Sequence, residues 1–425
     1  MRLRLVLTVL FLSLLAAWPE RPAANSTARI VRTRGDGAGP LFLIQRDWRW
    51  GFMDAAGSLV IPPRFGESAD FYEGLACVQL DGHYGYIDER GEFVIPPIFD
   101  RATSFEDGIA IVSILNEAFL INKAGARLTR ERFLRIDRFT EGLTAVEVEV
   151  PSELVNGSLR ERSRFGFIDK TGHMVIEPLF DEVRGFSEGL AAVSLGRHYR
   201  YDRGAELTDS GRWGYINQAG RMMIPPQYTK ANPFLGGVAV VSGDRTDRFG
   251  VIDTMGRVVR PFDLHEIDPL FIDGVASARD EHGTGFIGTN GRFRFQRKDF
   301  SLLSSLEEGL AHISMTGGRD GFVDRDGVLR IPARFVNVGY FHDGLASAMN
   351  DKDLWGFIDK AGTVVIPFQF EQAEEFYDGL ARVAVLRSTD DDEDGDGDDE
   401  DDADDSVWCY IDRSGRIVAR GVLDY

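Results

Sequence analysis

Short apolar segments with strand character recur along the chain, separated by turn residues. Trp50-Gly51-Phe52-Met53-Asp54 leads to Gly57, then Val60-Ile61-Pro62, Phe65, Phe71 and Glu73-Gly74-Leu75-Ala76. Tyr84-Gly85-Tyr86-Ile87-Asp88 leads in the same way to Gly91, Val94-Ile95-Pro96, Phe99, Phe105 and Gly108-Ile109-Ala110. Three more close copies open at Phe165, Trp213 and Trp355, weaker ones at Ala118, Phe249, Thr284 and Asp320, and a truncated tenth at Trp408. From the first Gly to the Gly of Gly-Leu-Ala the distance is 23 residues in seven copies and 24 in two. Length changes therefore collect between the Leu-Ala strand and the next Trp-Gly strand.

Each unit reads as three strands. Gly-Phe-Ile-Asp is aromatic and β-branched, as a pleated surface favours. Asp54 to Gly57 predicts a tight turn, with Asp bonding its own backbone and Gly accepting positive φ. Val-Ile-Pro is the second strand, ended by a proline that cannot donate to a ladder. Leu-Ala-x-Val is the third. Along the Trp-Gly strand both faces are apolar: Phe52, Tyr86, Phe167 and Phe357 alternate with Met53, Ile87, Ile168 and Ile358. A sheet with one wet face would alternate apolar and polar, so this strand is expected between two layers. The predicted fold is all-β: a tandem array of about ten three- to four-stranded antiparallel meanders over residues 39–420, propeller-like. Closed ring and open spiral both fit. Leu41-Phe42-Leu43-Ile44 supplies a Leu-Ala-type strand ahead of the first Trp-Gly, while the last copy lacks its own.

At these residues the chain resembles the WG repeat family of bacterial proteins. The pattern Trp-Gly-Phe-Ile-Asp-Lys-x-Gly-x-x-Val-Ile-Pro stands at Trp355 to Pro367. The resemblance implies an exported or envelope-associated β-rich interaction scaffold, with no catalytic residues to carry over. Ala118 and Phe119 at the Trp-Gly position, Gly288 at the Asp position and Cys409 at the Gly position depart from it. Irregular third, seventh and tenth copies are expected.

Arg2 and Arg4 precede an uncharged run from Leu5 to Pro19, and small residues follow. This is the pattern of a signal peptide, expected over residues 1–24 with a flexible leader over 25–38. No later run would span a bilayer in the mature chain, and a secreted or periplasmic protein is expected. The 425 residues carry a net charge of −20, against a nucleic-acid partner, which needs a basic face. Much of that charge sits in one tract, where residues 390–405 hold 13 acidic and no basic residues. A disordered acidic loop is expected over 388–406. Within it Asp390, Asp392, Asp394, Asp398 and Asp401 approximate the ligand order of a calcium loop, with Gly395 at the turn. Weak calcium binding is the one metal reading; otherwise no cofactor is indicated.

Catalytic signatures are poor. Gly185-Phe186-Ser187-Glu188-Gly189 matches a nucleophile elbow, but it is the repeat's own turn. The seven His form no zinc-type pair. Cys77 and Cys409 fall in the first and last copies, where a disulfide would staple a closed ring. Insertions at about 151–164, 195–212 and 387–407 share one class of hairpin and should crowd one rim. That rim carries the candidate partner-binding residues Arg160, Arg162, Arg197, Tyr199, Arg200 and Tyr201. The expected function is an exported, non-catalytic scaffold binding a protein, peptide or envelope glycan through this rim. The alternative is an exported hydrolase-type enzyme with its site at the centre of the array.

Overall fold

The computed structural model describes residues 41–46, 48–155, 158–202, 205–244, 248–386 and 406–420. Among them every regular element is a strand, and no helix is long and apolar enough to cross a membrane. The strands form ten small antiparallel sheets in chain order, the blades of a ten-bladed β-propeller. The second sheet shows the plan: Ser68–Tyr72, Leu75–Leu80, His83–Ile87 and Phe93–Phe99, each paired with the next. These four positions are here named the lead, Leu-Ala, Trp-Gly and Ile-Pro strands.

The sheet does not coincide with the sequence repeat. Each Leu-Ala strand pairs with the Trp-Gly strand of the following copy, as Cys77 with Tyr86 and Ala192 with Tyr215. The variable hairpins thus lie inside sheets. The repeat also hides a fourth element, the lead strand, two residues long in most sheets (Arg101–Ala102, Lys230–Ala231). Its brevity leaves no periodic signal in the sequence.

Packing between sheets uses both faces, as the doubly apolar strand requires. Phe52, Met53, Tyr86, Ile87, Phe357 and Ile358 are all fully buried. Ten apolar clusters fill the ten interfaces, one between each pair of neighbours. An aromatic contact recurs across them: Phe52 on Phe71 at 4.7 Å, Phe167 on Phe186 at 4.9 Å, Phe357 on Phe376 at 4.8 Å. Tilted rings at such separations add to the area they bury. One cluster joins the ends, packing Phe42, Ile44 and Met53 of the first sheet on Leu380, Ala384, Trp408 and Ala419 of the tenth. The ring is closed. Among the described residues it closes by face-to-face packing, with no strand exchanged between first and last sheets.

The glycine of Trp-Gly answers to a backbone crossing. Phe167 pairs with Ile176 but Phe165 with Phe180, so the Ile-Pro strand carries two extra residues opposite Gly166. A Cβ on Gly166 would meet the Ile176 carbonyl at 2.5 Å and Pro178 N at 2.9 Å. The departures sort on this point. In the third sheet Phe119 fills the glycine position, and the Ile-Pro strand is reduced to isolated bridges, Ala118 with Phe133 and Ile121 with Arg127. The tenth sheet tolerates Cys409 because its last strand, Ile417–Arg420, pairs without the two-residue bulge. The seventh sheet also pairs without it. The seventh and tenth copies thus depart from the common plan, as expected, in that their ladders lack the two-residue bulge of the regular sheets. Elsewhere the Ile-Pro strand forms a sheet edge whose prolines remove donors and discourage edge-to-edge pairing.

Candidate functional site

Successive connections in a meander alternate between the two ends of its sheet. One face of the ring therefore carries the acid-Gly and Asp-x-x-Gly turns. The other carries the Leu-Ala to Trp-Gly hairpins and the crossings between sheets.

The turn face is occupied with holding itself together. Asp54 Oδ1 accepts the N–H groups of Ala56 and Ser58 at 2.9 and 2.8 Å, and Asp88, Asp169, Asp253, Asp324, Asp359 and Asp412 repeat the motif. The Ser414 hydroxyl, with the N–H groups of Arg416 and Ser414, draws the Asp412 carboxyl down to about 2. Each acid-Gly turn places its acid at left-handed φ (Glu73 +51°, Glu188 +54°) ahead of a left-handed glycine, the geometry of a type I′ turn. Asn and Gly suit that position better than Glu. The side chain explains the choice. Glu73 Oε2 accepts the N–H of Gly108 in the next turn at 3.0 Å and pairs with Lys123. Glu141 holds Gly189, Glu308 holds Gly344 and Asp343 holds Gly379. Glu188 accepts both Gly236 and Gly237, at 2.6 and 2.8 Å. These carboxylates clip sheet to sheet.

The hairpin face differs from sheet to sheet. In the second sheet the connection is the tight Asp81-Gly82 turn, both residues at positive φ. The fourth and fifth sheets instead run on. Leu143–Val155 pairs with Ser158–Asp169, and Leu190–Asp202 with Ala205–Asn217. Each continues about eight residues past the point where neighbouring hairpins turn, roughly 25 Å of extra ribbon. The ribbons belong to adjacent sheets. Arg164 at the base of the first donates to Asp181, which leads into the fifth sheet. At the base of the second, Gly196 (φ +86°) and Gly211 (φ +72°) interrupt the ladder between Leu195–Arg212 and Arg197–Ser210. Glycine is needed at Gly211 twice over, since a Cβ would also lie 2.6 Å from the Leu195 carbonyl.

The register places the predicted partner-binding positions on these ribbons. Arg160 stands opposite Glu153 and Arg162 opposite Val150. Arg197, Tyr199, Arg200 and Tyr201 stand opposite Ser210, Thr208, Leu207 and Glu206. The acidic tract with Asp390, Asp392, Asp394, Asp398 and Asp401 lies outside the described residues, as do residues 1–38, where a signal peptide and leader are expected. Among the described residues no three His, Cys, Asp or Glu side chains gather as metal ligands would. The Cys77–Cys409 staple is not formed. Neither cysteine is in a disulfide and both are buried, Cys77 between the second and third sheets and Cys409 between the ninth and tenth. Burial pushes the Cys77 thiol up to about 12. Apolar packing holds the ring shut in their stead.

One constellation was not legible as a group. His312 Nε2 lies 2.9 Å from Asp320 Oδ2 and 3.4 Å from Ser314 Oγ, in the eighth sheet. Burial lowers the His312 pKa against the pull of Asp320. Ser and Asp address the same ring nitrogen, whereas a Ser-His-Asp relay uses both. Asp320 stands where other copies place Trp or Phe, so the trio fills an aromatic's place with a self-satisfied polar group. The signal in the sequence was the acid at that position.

The WG containing repeat matches residues 50–83, 84–116, 165–197, 213–242, 321–352 and 355–385. No curated protein matches the chain. Among solved structures, the crystal structure of a eukaryotic initiation factor is similar at 11% identity, covering 79% of this chain and 92% of that one, with a TM-score of 0.44. BamB from Moraxella catarrhalis is similar at 13% identity, covering 68% of this chain and 92% of that one, with a TM-score of 0.33. Six matches in the frame of the repeat, on sheets built to one plan, identify the chain as a WG-repeat protein.

Proposed function

We propose that this protein is an exported, non-catalytic scaffold that binds a protein, peptide or envelope glycan through its hairpin face. The observation that carries the reading is the pair of extended ribbons on the adjacent fourth and fifth sheets. The second sheet closes the same connection with the two-residue Asp81-Gly82 turn, so the extra ribbon is not required to close a sheet. Variable loops on a rigid scaffold are where binding residues collect, and Arg and Tyr are frequent interface anchors. Export rests on the basic start and apolar run of residues 2–19.

The test is capture from an envelope extract, alongside a glycan array, with the full chain and two variants. One carries Arg200→Ala and Tyr201→Ala. The other shortens both ribbons to two-residue turns while keeping the thermal midpoint. The shortened chain should lose the captured partner and the double substitution should weaken it. Undiminished capture by the shortened chain would reject the face. A secreted form still beginning at Met1 would reject cleavage of the signal.

A further inference from the structure

Where a described residue other than glycine adopts left-handed φ, it is Asp, Glu or Asn, except at Trp48 (φ +59°) and Leu115 (φ +49°). We infer that Trp48 and Leu115 anchor a protein partner by entering two apolar pockets on it, the pocket for Trp48 being edged by carboxylates. The inference rests on the scaffold reading of the hairpin face and narrows the partner to a protein.

Both residues stand at the tips of two-residue hairpins on that face. Arg46 pairs with Arg49 around residues 47–48, and Ile114 with Glu117 around Leu115 and Asn116. The second sheet lies between them and closes the same connection with Asp81-Gly82, a sequence such turns prefer. A bulky residue at left-handed φ costs stability. Neither side chain recovers that cost by packing, since Trp48 is 69% exposed and Leu115 89%. The other described tryptophans, at 50, 213, 355 and 408, are buried or half-buried. The Leu115 tip is nonetheless held in place, its N–H donating to Asp100 Oδ2 at 2.7 Å.

A third unfavourable choice sits beside Trp48. Arg46 and Arg49 face each other across the ladder, both exposed, and no acid pairs with either among the described residues. Like charges directly opposite destabilise a sheet. Backbone strain and broken local rules concentrate at functional sites.

The chemistry selects the partner. Trp and Arg dominate protein interfaces from desolvated pockets, and two guanidiniums beside the indole call for carboxylates. Packed sheets lie about 10 Å apart, so tips on the first and third sheets stand roughly 20 Å apart, within the reach of one protein surface. A sugar ring would stack on Trp48 but leave Leu115 in water. The ribbon of the fourth sheet, next to the Leu115 tip, runs on about 25 Å past such a turn and would hold a flat membrane away.

The test places a benzophenone amino acid at residue 48, at residue 115 and, as a control on the turn face, at Met255, which is 74% exposed. Each full chain is irradiated in an envelope extract and its adducts are sequenced. Residues 48 and 115 should label one and the same polypeptide, at apolar sites that for residue 48 adjoin Asp or Glu; residue 255 should not label it. Trp48→Gly, Leu115→Asn and Arg46→Glu should each compete for that labelling at least tenfold less well than wild type. Each should also raise the thermal midpoint, because Gly and Asn suit the turn and Glu opposite Arg49 replaces a repulsive pair. A residue kept for the fold would lower it. Two unrelated polypeptides, undiminished competition, lowered midpoints or no adduct at all would overturn the inference. So would adducts to lipid, to glycan, to a second copy of this chain or to its own residues 388–405. Capture by the full chain that survives all three substitutions but is lost with the ribbons would reject the anchors and spare the scaffold reading.

Discussion

Gly57 of the first sheet lies against the Val418 backbone of the tenth, where an added Cβ would stand 2.5 Å from the carbonyl oxygen. Inside the array Gly291 meets the Val259 carbonyl of the preceding sheet in the same way, at 2.6 Å, while Gly91, Gly220 and Gly362 meet the side chains of Ile61, Ile176 and Ile331. The end-to-end seam therefore repeats the geometry of an internal interface. Gly57→Ala should cost more than Gly74→Ala. Both residues have φ near +84°, so both substitutions incur a left-handed penalty of about 1–2 kcal/mol. Only Gly57 has a neighbour within 4 Å. Urea denaturation of the two variants measures the difference. Equal losses would mean that the seam is not closed in solution.

Gly166→Ala should displace the crossing Ile-Pro strand of the fourth sheet and cost about 1–3 kcal/mol, the usual range for overpacking. Hydrogen exchange should show protection falling over Met174–Phe180 first. The corresponding position of the tenth sheet already carries Cys409, and Cys409→Ala should leave Ile417–Arg420 protected.

Glu188→Ala removes two charge-assisted bonds to the next turn and leaves a Cβ at φ +54°. A loss of about 2 kcal/mol is expected. Glu188→Gly loses the same bonds but relieves the backbone, so it should be the milder change. The ordering of their thermal midpoints checks this, and the reverse order would show that the clip is not what the acid contributes.

His312 supplies a pH dependence. Burial depresses its pKa below the ordinary 6.5, with the Asp320 carboxylate opposing. The folded state then binds a proton less readily than the unfolded chain. Stability on this account is full well above pH 6.5 and is lost as pH falls through 6.5 toward the folded value. Denaturation midpoints between pH 8 and 5.5 should decline for wild type. His312→Asn should be less stable at pH 8, by about 1–2 kcal/mol for the weakened bond to buried Asp320, and flatter below it.

The strands themselves were legible because each carries its own local signal. Gly-Phe-Ile-Asp, Val-Ile-Pro and Leu-Ala-x-Val differ in branching, proline and turn chemistry, and the apolar alternation of Phe52 and Met53 required a layer on either side. The turn roles of Asp54 and Gly57 were equally local. Even the insertions declared their hairpin, since length changed at one point of the repeat.

What the tertiary structure alone decided lies between residues distant in sequence. A period does not mark where one sheet ends, so only the ladder showed the short lead strand joining the Leu-Ala strand and fixed each sheet's two edges. Closure depends on the angle accumulated over ten packed interfaces, which no single unit encodes. The burial of Asp320 against His312, and the crossing backbone that demands Gly166, arise from atoms brought together by that packing. Sequence determined the module because short-range chemistry repeats in every copy; the fold decided the ring and its seam because those are properties of copies in contact.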